Sequence, residues 1–198
     1  MKKSAYAALL VTWPCLAFGG ALDLTPHPAA TAFKSLRVNR YFFEDSGKRM
    51  GFRIDNKMTV KGTSASAVFE FEDLKDSGMK ILRSPKSPEM SFGEKDLESY
   101  RADARALLSA SAMDVQIDQE NPGAIAINGW TSYQFLFTYK LAGSAYRRSV
   151  IFLNYNKTEQ LIQDVSAPSA DFDRAYLRSY QVLNSLSELG SNDDSGPT

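Results

Sequence analysis

Residues 124–165, AIAINGWTSYQFLFTYKLAGSAYRRSVIFLNYNKTEQLIQDV, decide the fold. Past Ser132 the apolar side chains fall on every second position, at Tyr133, Phe135, Phe137, Tyr139 and Leu141, until Gly143-Ser144 marks a turn. The returning run carries Tyr146, Val150 and Phe152 on one parity and Ile151, Leu153 and Tyr155 on the other. Asn156-Lys157-Thr158 turns the chain again into Leu161, Ile162 and Val165. A strand sends alternate side chains to opposite faces, so runs of this period and length read as consecutive antiparallel strands with one face on a core. Ala124 to Ile127 is expected to enter the set as a further strand.

The flanking sequence supplies elements that cover such a face. Upstream, Arg37–Phe43 and Met50–Ile54 read as strands around the turn cluster Glu44-Asp45-Ser46-Gly47-Lys48. Val68–Phe71 and Met79–Leu82 form a second pair around Lys75-Asp76-Ser77-Gly78, and Pro85 and Pro88 end it, because proline cannot serve a central strand. Ser91-Phe92-Gly93-Glu94 matches a capping box. Behind it Leu97, Tyr100, Ala104, Leu107 and Leu108 recur at helical steps, with Arg101 and Arg105 off the stripe and solvated. Met113–Ile117 returns as a strand, and Asn121-Pro122-Gly123 turns. After Ser166-Ala167-Pro168, Ser169 or Asp171 caps a last helix with Phe172, Tyr176, Tyr180, Leu183 and Leu186 on one side. The fold class is α+β: an antiparallel sheet with one amphipathic helix from mid-chain and one C-terminal helix packed on it.

The ends of the chain carry other signals. Lys2 and Lys3, the apolar run Ala5–Phe18 and the small residues Gly19-Gly20-Ala21 make residues 1–21 a secretory signal peptide, cleaved after Ala21 or Gly19. The run is shorter than the ~20 residues of a membrane span. Residues 22–36, with Pro26 and Pro28, read as an irregular lead-in; 37–188 as one α+β domain; and 189–198 as a disordered polar tail. The protein is thus expected to be periplasmic or secreted. Its single cysteine, Cys15, lies in the leader, and Thr12-Trp13-Pro14 is a poor box for lipid attachment. A mature chain without cysteine has no disulfide, thiol nucleophile or thiolate metal site. Lys+Arg and Asp+Glu stand at 23 each, and loss of Lys2 and Lys3 leaves a small acidic excess, so nucleic acid is not an expected partner.

Residues able to carry chemistry are few. His27 is the only histidine, and it sits in the expected lead-in. One histidine outside a folded element makes neither a catalytic triad nor a multi-histidine metal site. The carboxylates Glu70, Glu72 and Asp73 read as a strand end, while Asp171 and Asp173 suit a helix N-terminus. No phosphate-binding glycine loop occurs, and Ser64, Ser66, Ser109 and Ser111 lack the context of a nucleophile. Catalytic residues, metal and cofactor are therefore expected to be none. The aromatic residues of 130–155 exceed what a strand pair needs. Most are expected in the core, and Trp130, Tyr146 and Arg148 are the candidates for binding, since Trp, Tyr and Arg carry interface energy.

The order of elements is joined by a few local matches. These are Gly51-Phe52-Arg53-Ile54 in the early hairpin, Asn128-Gly129-Trp130 before the long hairpin with Arg147 and Arg148, and Ala167 ahead of a helix running from Phe172 to Asn184-Ser185-Leu186. With these features the stretch from Tyr41 to Leu186 resembles the PsbP-like fold. That fold is shared by the extrinsic photosystem II subunit, the Ran-binding nuclear import factor of yeast, and bacterial DcrB-like and type VI secretion adaptor proteins. Where that family continues its early hairpin into proline and tryptophan, this chain has Asn56-Lys57-Met58. The resemblance implies a non-enzymatic, exported accessory module of the cell envelope that binds another envelope or secreted protein. The alternative is a carrier of a small apolar ligand in a cavity between sheet and helices.

Overall fold

The structure, a computed structural model, describes residues 22–29, 38–88 and 90–189. In chain order the elements are β1 (Asp23–Pro28), β2 (Val38–Asp45), β3 (Lys48–Asp55), β4 (Met58–Thr63), β5 (Ser66–Phe71), β6 (Gly78–Pro85), α1 (Glu94–Ala106), β7 (Met113–Pro122), β8 (Ser132–Leu141), β9 (Ser144–Asn154), β10 (Glu159–Pro168), α2 (Phe172–Asn184) and β11 (Ser187–Glu188). They form two antiparallel sheets, ordered β1-β2-β3-β11 and β4-β5-β6-β10-β9-β8-β7. The architecture is α+β, with one helix from mid-chain and one at the C-terminal end. Residues 1–21, 30–37, 89 and 190–198, including the leader, Arg37 of the expected first strand and most of the expected tail, lie outside the described residues.

Tight turns set the registers. Ser46 and Gly47 (φ 49° and 84°) join β2 to β3, and Ala142 and Gly143 (φ 49° and 82°) join β8 to β9. Two consecutive residues in the left-handed region match the twist of the flanking strands. Tyr139 thereby lies opposite Tyr146, and Phe137, Phe135 and Tyr133 lie opposite Arg148, Val150 and Phe152. Those residues share one face, which α1 covers with Tyr100 and Ala104, both fully buried. The other parity, Ile151, Leu153, Leu161 and Val165, faces α2 and the small sheet. One apolar face was the expectation; both faces are buried. Val150 to Leu153 are apolar on both parities, which is the pattern of a strand covered on two sides.

Between the sheets Phe52 of β3 meets Phe43 at 4.5 Å and Phe69 of the large sheet edge-on at 5.8 Å. The α2 residues closest to this core are Phe172, Ala175, Ser179, Val182 and Leu183. The small residues at 175 and 179 let the helix approach the sheet, so the expected stripe through Tyr176 and Tyr180 is displaced to the flank.

Several expectations are corrected. The lead-in is a strand over Asp23–Pro28, paired with β2, and Leu22 and Leu24 are fully buried. Its prolines are tolerated because β1 is an edge strand. β4 was not foreseen, and 124–127 forms no strand, although Ile125 and Ile127 are buried. β6 runs to Pro85 because β5 pairs only its first part, leaving the proline end with β10 alone. The capping box is not formed. Gly93 is the N-cap, and the Asp96 carboxylate instead accepts the Ser91 N–H (2.9 Å) and hydroxyl (3.3 Å). Arg101 is not free in solvent: its guanidinium grips the Glu120 carboxylate of β7 at 2.7 and 2.9 Å. Leu189, assigned to the tail, packs over Gly51.

Candidate functional site: an apolar cleft at the Trp130 end of the sheet

The connection from β7 to β8 doubles back on itself. Gly123, Asn128 and Gly129 all have positive φ (66°, 50° and 73°). Asn128-Gly129 forms a tight turn closed by the Trp130 N–H on the Ile127 carbonyl (2.8 Å). Ser132 fixes the base of this loop, its hydroxyl accepting the Ile125 N–H (2.9 Å) and donating to the Ile125 carbonyl (2.8 Å). The Asn128 amide reaches the Leu186 carbonyl at the end of α2 (3.0 Å). Trp130 is thereby held half-buried with its ring edge-on to Tyr155 at 5.0 Å. The Tyr155 hydroxyl in turn donates to the Asp45 carboxylate at the β2–β3 turn. Burial, and then that hydrogen bond, push the Tyr155 phenol above its ordinary range.

Together with the start of α1 this loop bounds an open cleft of about 540 Å³. It is lined by Phe92 and Gly93, by Pro122, Gly123, Ile125, Ala126 and Trp130, and by Thr131 and Asn154. Phe92 is anchored from below by Tyr100 (5.0 Å) and Tyr133 (5.8 Å). The Asn154 Nδ2 donates to the Thr131 Oγ1 at 3.0 Å, while its Oδ1 is buried without a partner among the described residues. A buried acceptor left unpaired is a local cost in free energy. The cleft thus presents half-buried aromatic side chains beside a few short polar ones, an arrangement that suits an apolar group.

Of the three sequence candidates only Trp130 lines this cleft. Tyr146 stacks on Tyr139 (5.7 Å) at the opposite end of the hairpin. Seven residues separate Ser132 from Tyr139 along β8, roughly 23 Å at strand rise. Burial, helped by the Asp76 charge, raises the Tyr146 phenol. Arg148 is a correction: it is only 9% exposed, and its Nε donates to the Asp164 Oδ1 at 2.6 Å in a two-pronged pair. It closes a buried ion pair beneath α1 and presents no charge to a partner. The cleft residues that sequence reasoning missed are Phe92, Ile125, Thr131 and Asn154. Phe92 and Asn154 lie far apart in sequence and meet only through the strand register.

Glu70, Asp73, Asp171 and Asp173 of the carboxylate clusters make ion pairs within the fold. Glu70 pairs with Lys61, and Asp73 accepts both nitrogens of Arg178, which also reaches Asp55. The Arg178 hydrogen bond holds the Asp73 carboxyl well below the ordinary range. His27 stacks on Phe42 at 5.2 Å. No helix among the described residues is long and apolar enough to cross a membrane, and none of their His, Cys, Asp and Glu side chains cluster to hold a metal ion.

No protein-family model matches the chain, and no curated protein matches it in sequence. Solved structures do match it. Cyanobacterial PsbP (CyanoP) from Synechocystis sp. PCC 6803 aligns over 81% of this chain and 98% of its own, with a TM-score of 0.53 at 13% identity. LpqN, involved in cell envelope biogenesis of Mycobacterium tuberculosis, aligns over 79% of this chain and 94% of its own, with a TM-score of 0.56 at 8% identity. At such identities the likeness is one of fold, and the fold of this chain is PsbP-like.

Proposed function

We propose that this chain is a non-enzymatic accessory module of the cell envelope, exported to the periplasm or beyond by residues 1–21, that binds another protein through the Trp130 cleft. It uses no cofactor. The observation that carries this reading is the cleft itself, open to solvent and lined by Trp130 and Phe92. An apolar partner side chain inserted there buries both rings further. Aromatic anchors in pockets of this kind dominate interface energy. The likeness in fold to LpqN, a protein involved in cell envelope biogenesis, agrees with an envelope setting. The test is affinity recovery from native envelope extract with the wild-type protein and with Trp130→Ala. A partner held by the first and lost from the second supports the reading; equal recovery by both refutes it.

The carrier reading keeps one supporting observation, a cleft volume within the roughly 300–1,000 Å³ of small-molecule sites. Native mass spectrometry of the purified protein decides it. A co-purifying small ligand displaced by Trp130→Ala favours the carrier, and a bare mass favours the protein-binding module.

A further inference from the structure

The outer face of the small sheet carries a charge pattern that the fold does not use. Opposed residues of an antiparallel pair share a face, so Arg40 and Arg53, Phe42 and Gly51, and Glu44 and Arg49 project together, away from Phe43 and Phe52. Phe42 is stacked between His27 at 5.2 Å and the Arg49 guanidinium at 4.8 Å. Leu189 lies over Gly51, where a Cβ would meet its Cδ2 at 2.3 Å, and so sets a second apolar group beside Phe42. Arg40 and Arg53 stand directly opposite one another, and among the described residues no carboxylate pairs with either. Like charges opposed across a strand pair destabilise a sheet. An anion bridging the two guanidiniums removes that penalty and matches their forked geometry.

We propose that this face docks on the surface of an anionic lipid bilayer, with lipid phosphates between Arg40 and Arg53 and the Phe42–Leu189 ridge entering the headgroup layer. The apolar centre of the face, Phe42 and Leu189, is two side chains wide. That is too small for the roughly 800 Å² a stable protein partner covers. It is suited to a bilayer, where dispersed charges and shallow apolar insertion add together. The acids on this face are Glu44, which faces Arg49 across the strands, and Asp23, which lies opposite Glu44 at the far end from Arg40 and Arg53. The proposal is independent of the Trp130 cleft, which lies at the end of the large sheet.

The test is sedimentation of the purified protein with phosphatidylcholine vesicles, with and without phosphatidylglycerol. The expected result is binding only to the anionic vesicles, weakened by salt. It falls about fivefold for each positive charge removed in Arg40→Gln/Arg53→Gln, and below detection in Arg40→Glu/Arg53→Glu. Thermal melting of each variant controls for folding, and Trp130→Ala should bind vesicles as the wild type does. Equal binding to both vesicle types, no binding, or undiminished binding by a folded double variant overturns the proposal. So does binding to soluble poly-glutamate without binding to anionic vesicles, which assigns the face to an acidic protein.

Discussion

At the scale of single residues, two positions have costs that can be read directly. The hydroxyl of Tyr100, on the buried face of α1, has no hydrogen-bond partner among the described residues. Burial, with the charges of Asp96 and Asp103 adding, pushes its phenol up to about 12. A group raised in the folded state contributes stability that is fully present below its unfolded value near 10 and lost as pH rises through 12. Tyr100→Phe removes the orphaned hydroxyl while keeping the ring contact with Phe152, so it should stabilise by about 1 kcal/mol. Urea denaturation at neutral pH checks this; a lowered midpoint would show that the hydroxyl does have a partner. Gly62 has the opposite sensitivity. A Cβ there would sit 2.5 Å from the Leu24 carbonyl and 2.9 Å from the Ser66 carbonyl, backbone atoms of β1 and β5. Gly62→Ala should cost about 1–3 kcal/mol, the range for overpacking a filled site, and the same titration measures it.

At the scale of elements, the buried pair of Arg148 on β9 and Asp164 on β10 shows why a sequence candidate can mislead. Arg148→Met strands a buried carboxylate and should cost about 3–5 kcal/mol, whereas adding Asp164→Leu should recover most of that loss. A double-mutant cycle on unfolding free energies reads the difference. Two equal and additive losses would contradict the pairing. From sequence, Arg148 and Tyr146 differ little from Trp130, since all three are amphipathic residues near turns or strand ends. Only the register separates them, putting Arg148 under α1 and Tyr146 at the far end of the hairpin. The strands β8, β9 and β10 were legible because their period-two runs are long and bounded by turn residues. β1 was hidden by Pro26 and Pro28, which an edge strand accepts, and β4 by the glycine and lysine within MTVKGT. The cleft was legible only at Trp130, because its lining comes from the segment ahead of α1, the β7–β8 loop and the end of β9. No local pattern reports that three such segments converge.

At the scale of the molecule, β1 is what closes the gap between the sheets. It pairs with β2, crosses β4 with the Leu24 N–H toward the Ser64 carbonyl (3.4 Å), and offers the Leu22 carbonyl to Arg83 (2.9 Å). Removing residues 22–29 should therefore open the core between the sheets, seen as a lower melting temperature and new binding of a hydrophobic dye; an unchanged melt would place β1 outside the cooperative unit. The ends of the pH range act on other parts of the molecule. Arginine hydrogen bonds lower the Glu120 and Asp73 carboxyls, so their contribution is present above ordinary carboxylate values and lost as pH falls through the depressed ones. The molecule that results is a two-sheet frame with an open apolar cleft at the Trp130 end, and the account turns on whether that cleft holds a protein. The most direct measurement is photo-crosslinking in the native envelope, with benzoylphenylalanine placed at Thr131 in the cleft and at exposed Lys75 as a control. The account predicts a discrete protein adduct from position 131 that Trp130→Ala abolishes and that position 75 does not give. Identical patterns from the two positions, or an adduct at 131 that survives Trp130→Ala, would contradict it.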